Sequence, residues 1–94
     1  MPRLRYSAKS TEDILEIASY IARDKPIAAR NWVKQIKAKC QLIAKHPMLG
    51  DERSSLGNNV RSTYVGQYVI YFRGDDDFVE IDRVIRGDRD IQSL

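Results

Sequence analysis

The sequence predicts an α+β domain in which an N-terminal strand and an antiparallel helix hairpin pack on a small antiparallel β-sheet. Three observations carry this. Apolar residues recur with a helical period on both sides of Pro26. From residue 60 the pattern changes to short β-branched and aromatic runs separated by glycine-containing turns. With 94 residues, 43% of them hydrophobic, the chain supports one core and a single domain spanning residues 1–94.

Arg3-Leu4-Arg5-Tyr6-Ser7 alternates polar and apolar residues, as a short strand does, and is expected to pair into the sheet. Ser10 then fits an N-cap, with Asp13 where a capping box usually has Glu. Glu12, Asp13 and Glu16 suit the positive end of a helix dipole. Ile14, Ile17, Ala18 and Ile21 make one apolar face, with Leu15 and Ala22 beside them, over about residues 11–23. That helix must stop before Pro26, which is itself well placed at the first position of a second helix. There Ala29, Val33, Ile36, Cys40 and Ile43 recur at spacings of 4, 3, 4 and 3, with Trp32 flanking them. Arg30, Lys34, Lys37, Gln41 and Lys45 take the opposite side, and Pro47 and Gly50 end the helix. The short link at Asp24-Lys25 implies an antiparallel hairpin.

Residues 51–59 read as a polar loop. Three strands follow: Val60 to Val65, Gln67 to Arg73, and Phe78 to Ile85. The middle one is apolar on both alternations. It is therefore expected at the centre, with one face under the helices and the other at least half covered.

Composition excludes several classes. One Cys cannot form an internal disulfide, and one Cys with one His cannot build a four-ligand zinc site. No apolar run approaches the roughly 18 residues of a membrane span, and Met1-Pro2-Arg3-Leu4-Arg5 is no signal peptide. A charged fraction of 31% points to a soluble cytoplasmic protein. Catalytic side chains are scarce, so a binding protein or a minimal nuclease is expected rather than a metabolic enzyme, with no cofactor, no metal and no membrane partner.

The net charge of +3 is unevenly spread. Lys25, Arg30, Lys34, Lys37, Lys39 and Lys45 fall between residues 25 and 50, where there is no acid at all. Such a segment attracts an acidic protein or a polyanion, although a solvated helix face gives the same pattern. It lacks interleaved aromatics and a helix-turn-helix, which argues against sequence-specific DNA reading.

Arg61, Arg73, Arg83, Arg86 and Arg89 form a second basic set. Arg83 falls on a mostly apolar alternation, so it should be paired or at the sheet's rim. Arg61, Arg83 and Arg89 would make a phosphate pocket if they converge. Alternatively Arg83 and Arg89 bridge to Glu80, Asp82, Asp88 or Asp90. Tyr64, Tyr68 and Tyr71 could stack bases or move protons, but at strand spacing packing is the favoured role. Asp75-Asp76-Asp77 reads as a hairpin turn rather than a metal site. His46 suits the C-terminus of the second helix, and Cys40 is expected to be a buried, inert thiol.

The ordered set Asp13-Ile14, Ile17, Tyr20-Ile21-Ala22, Pro26, Ala28-Ala29 and Ile43 through Gly50 resembles the bacterial ParE toxins. Val60-Arg61-Ser62, Tyr68 through Arg73 and the closing Arg83-Val84-Ile85-Arg86-Gly87-Asp88-Arg89-Asp90 extend the resemblance over nearly the whole chain. It implies the ParE/RelE toxin fold and the toxin half of a type II toxin–antitoxin module, of the kind linked to plasmid stabilisation. It further implies inhibition of DNA gyrase by binding, and neutralisation by a ParD-like antitoxin whose flexible segment folds onto the toxin. Acidic residues of that segment are expected to face Arg30, Lys34 or Lys37. A homodimer or a toxin–antitoxin hetero-oligomer is compatible with this.

The related RelE toxins instead cut messenger RNA on the ribosome without a metal. At the positions matching their site, this chain has basic residues at Arg61 and Arg89, but Val69 stands where the central-strand arginine would be and Thr63 replaces a lysine. The chain ends at Leu94, before a matching tyrosine base. Arg86 stands where many ParE members have His. The gyrase reading is therefore preferred, with Arg61, Arg83, Arg86 and Arg89 as the candidate functional cluster. A RelE-class endoribonuclease and a non-toxic antitoxin-binding relic are the alternatives.

Overall fold

The computed structural model describes residues 2–89, 91 and 94. In chain order the elements are β1 (Arg3–Tyr6), α1 (Ala8–Ala22), α2 (Pro26–Lys45) and β2 (Asp51–Glu52). A 3-10 turn (Ser54–Leu56), β3 (Arg61–Val65), β4 (Tyr68–Gly74) and β5 (Phe78–Arg86) complete them. The sheet runs β1-β5-β4-β3-β2. The helix hairpin, the three main strands and the pairing of the first strand agree with the sequence reading.

Two details differ. The sheet is mixed, because β1 runs parallel to β5 while all other neighbours are antiparallel. And α1 starts at Ala8, with Ser7 rather than Ser10 as its N-cap. Both follow from how the chain leaves β1. The Ser7 N–H donates to the Ile81 carbonyl at 2.9 Å, and the Ser7 hydroxyl donates to the Asp82 carbonyl at 2.9 Å. The same hydroxyl oxygen accepts the Ser10 N–H at 3.0 Å. Ser7 thus ends a strand and caps a helix at once, and α1 continues the line of β1 along β5. Ser10 is buried in the first turn, its hydroxyl donating to the Ser7 carbonyl at 2.9 Å.

The main core lies between the helices and the sheet. Trp32, Ile36, Cys40 and Ile43 of α2 meet Ile70, Phe72, Val79, Ile81 and Val84. Trp32 packs edge-on against Tyr68, ring centroids 5.1 Å apart. Burial pushes the Cys40 thiol up to about 11, so it is protonated and unreactive at neutral pH. A smaller cluster fills the other face: Val69, Tyr71 and Ile85 under Leu56 and Val60. The central strand is thus covered on both sides, as its double apolar alternation requires.

The stretch read as a polar loop contains β2 and the 3-10 turn. Its order comes from polar bonds: Arg53 N–H to the Val60 carbonyl at 2.8 Å, and Arg53 Nε to Ser62 Oγ at 2.9 Å. Gly50 precedes it with a φ of 83°, and a Cβ there would run into the Ser62 carbonyl. Asp75 closes the β4–β5 hairpin, its carboxylate accepting the N–H groups of Asp77 and Phe78 at 2.8 and 3.1 Å. Those bonds hold its pKa below the usual carboxylate value. His46 is the C-cap of α2 through its backbone N–H. No described helix is long and apolar enough to cross a membrane.

Candidate functional site

Pro26 opens α2 with its φ already helical, and Lys45 sits in the last turn, where the dipole favours a cation. Between them the helix buries Ala29, Trp32, Ile36, Cys40, Ile43 and Ala44. The 3.6 period then puts Arg30, Lys34, Gln41 and Lys45 on the crest farthest from the core, and all four are exposed. Val33 and Lys37 lie on one flank of that crest. With Thr11, Ile14, Leu15 and Ala18 of α1, and with Tyr6, they line an apolar groove of about 320 Å³. Leu15 is 63% exposed there. Of the three residues expected to face an acidic partner, Lys37 rims the groove, while Arg30 and Lys34 stand on the crest beside it. An amphipathic segment lying in the groove would meet an apolar floor and a cationic border.

The arginines of the sheet are not gathered into one pocket. Arg61 sits at the far end of α2. Its Nη2 donates to the carbonyls of Met48 at 2.6 Å and Gly50 at 2.8 Å, and its Nε donates to that of Leu49 at 3.2 Å. Glu52 lies 3.8 Å from its Nη1. This guanidinium closes the α2–β2 connection. Arg83 is held by Asp13, through Nε to Oδ2 at 2.8 Å and Nη2 to Oδ1 at 3.1 Å. Asp13 Oδ2 also accepts the Val84 N–H at 3.0 Å. The hydrogen bonds it donates to Asp13 raise the guanidinium's pKa above its ordinary value. Arg83 is thus paired, as expected, but with Asp13 rather than Glu80 or Asp82. Asp90 lies outside the described residues.

Arg86 and Arg89 do come together, lining a cavity of about 230 Å³ with Tyr20 and Tyr68. Arg86 also pairs with Asp88 at 3.5 Å. Tyr68 and Tyr71 serve packing, whereas Tyr64 is 53% exposed.

The outer face of the sheet offers little chemistry. Val69 is buried there with Tyr71 and Ile85, whereas Thr63, opposite Ile70, is buried on the face under the helices. The charged groups nearby are bonded to each other. Arg73 Nε donates to Asp82 Oδ2 at 2.7 Å, and Arg5, stacked 4.2 Å from the Phe78 ring, lies 3.6 Å from Glu80. Among the described residues, no group of three or more His, Cys, Asp or Glu side chains could hold a metal ion. The rimmed apolar groove between α1 and α2 lies apart from these paired charges.

Sequence reasoning missed Asp13 as the partner of Arg83, 70 positions away, because periodicity carries no long-range pairing. It placed Leu15 beside the apolar face without marking it as exposed. The signal was present: Leu15 is one residue off the stripe formed by Ile14, Ala18 and Ile21.

Residues 4–91 match a family model described as ParE toxin of type II toxin-antitoxin system, parDE. No curated protein sequence matches the chain. Among solved structures, the chromosomal ParDE toxin–antitoxin system from P. aeruginosa superposes with a TM-score of 0.77 at 21% identity, over 92% of this chain and 96% of that one. YafQ from E. coli gives 0.64 at 14% identity, over 93% and 94%. The E. coli DinJ–YafQ complex gives 0.62 at 14% identity, over 92% and 93%. These structural likenesses are likenesses of fold.

Proposed function

The chain belongs to the ParE toxin family of type II toxin–antitoxin systems, and from that premise we propose that it inhibits DNA gyrase by binding rather than by cutting nucleic acid. One observation carries the reading: Val69, at the position matching the RelE central-strand arginine, is buried among Tyr71 and Ile85. Cleavage of a phosphodiester needs a base for the 2′-hydroxyl and donors for the developing anion. Arg61, one of the two matching basic positions, already donates to three backbone carbonyls.

Purified gyrase tests this directly. Excess toxin should reduce supercoiling; unchanged supercoiling and DNA cleavage would refute the gyrase target. Specific cuts in translating messenger RNA, abolished by Arg89→Ala, would put the endoribonuclease in its place. Normal growth of a bacterial host expressing the chain alone would mark a relic.

The partner that neutralises the toxin is a ParD-like antitoxin whose acidic, amphipathic segment seats between α1 and α2. The groove's apolar floor and Lys37 at its rim support this. Charge reversal at Arg30, Lys34 and Lys37 together should slow association and flatten its salt dependence. Kinetics identical to wild type would exclude that placement.

A further inference from the structure

We propose that the other flank of α2, where it faces β3, is a second docking surface that takes an extended acidic segment of the toxin's target; this rests on the reading of the chain as a toxin that acts by binding. β2 is two residues long and pairs only with Arg61 and Ser62. Before Asp51 the backbone turns away at Gly50, in the left-handed region, and Arg61 fixes the Gly50 carbonyl at 2.8 Å. β3 continues for three more residues, Thr63 to Val65, with no described strand on that side. Alternate residues of a strand present N–H and C=O to the same neighbour. Val60 accepts the Arg53 N–H, and Ser62 pairs with Asp51. Tyr64 is therefore the next residue whose backbone groups point to the vacant side.

Beside it lies a cavity of about 390 Å³ lined by Gln35, Ala38, Lys39 and Leu42 of α2 with Tyr64 and Val65. Leu42 is 41% exposed. An extended segment following the line of β2 past Asp51 would pair with Tyr64 and bury Leu42, the geometry of strand addition. Charge selects the occupant. Lys39 lines the cavity and Lys34 and Lys45 stand on the adjoining crest; α2 carries no acid, and of the two acids of β2, Asp51 and Glu52, the second lies 3.8 Å from Arg61. A second copy docking through the same flank would bring two basic helices together, whereas acidic residues of a different protein would be attracted. This flank lies across the α2 crest from the groove of Val33 and Lys37, so the two surfaces are separate.

The test measures binding of purified gyrase to immobilised toxin. The variants are Leu42→Asp with Tyr64→Ala, Lys39→Glu alone, and Ile27→Asp as an exposed apolar residue elsewhere. Thermal melting checks the fold of each. The double variant should weaken binding by about tenfold or more, Lys39→Glu by about threefold, mostly in association rate, and Ile27→Asp not at all. If the double variant fails to fold, Lys39→Glu decides alone. Wild-type affinity in the Leu42, Tyr64 and Lys39 variants overturns this surface and leaves the gyrase reading standing. An equal loss with Ile27→Asp overturns it as non-specific adhesion. A wild-type chain that does not bind gyrase removes the target reading, and this occupant with it.

Discussion

The two faces of the central sheet are built from neighbouring residues of the same strands, yet they are closed very differently. On one, Ile70, Phe72, Val79, Ile81 and Val84 lie under two helices. On the other, Val69, Tyr71 and Ile85 lie under a short loop contributing Leu56 and Val60. The first face makes the fold. The second is closed by a smaller apolar cluster under that loop.

Truncation should separate the faces most sharply. Phe72→Ala should cost about 3–5 kcal/mol, because two helices and a sheet cannot collapse into the hole. Val69→Ala should cost only about 1.5 kcal/mol, close to the transfer free energy of the lost methyls. Equal losses in denaturant midpoints would mean that both faces belong to one rigid core.

The next effect concerns how the helix side is fastened. Asp13→Ala removes three bonds and strands Arg83, for a loss of about 2–3 kcal/mol, below that of a fully buried pair because Arg83 is partly exposed. A change under about 0.5 kcal/mol would show that α1 is held by apolar contacts alone. At the other end of the helix layer, Arg61→Gln should cost about 2 kcal/mol by freeing carbonyls that follow α2. A catalytic Arg61 would instead lose activity with the melting temperature unchanged.

The smallest effect is a pH dependence on the outer face. The hydrogen bond to the Asp82 carboxylate, and then burial, raise the Glu80 pKa above 4.5. A raised folded value means that protonation favours the fold: this contribution is fully present below 4.5 and is lost as pH rises through the folded value. Glu80→Gln should abolish that slope in the weakly acidic range. A slope that survives belongs to another group.

The elements were readable where local chemistry decides them. Pro26 fixed a helix start, the double apolar alternation of β4 announced a strand covered on both faces, and the aspartates after Gly74 announced a turn. Pairings across the chain were not readable. Ser7 and Ser10 both fit an N-cap, and the bonds of Ser7 to β5 decide between them. The parallel run of β1 comes from the same junction. The candidate groove was half readable: its cations were visible in the charge distribution, but its floor needs two helices and Tyr6 brought together in space. Arg61 looked available for an anion because its acceptors are backbone carbonyls, which no side-chain pattern reveals.

The junction at Ser7 also bears on solubility. β5 is nine residues long and its outer neighbour β1 only four, so half of the longest strand would face water as a template for chain-to-chain polymerisation. Instead the Ser7 hydroxyl takes up the Asp82 carbonyl and the Asp13 carboxylate takes up the Val84 N–H. The cap and one side chain of a helix stand in for a missing strand and blunt that edge against aggregation.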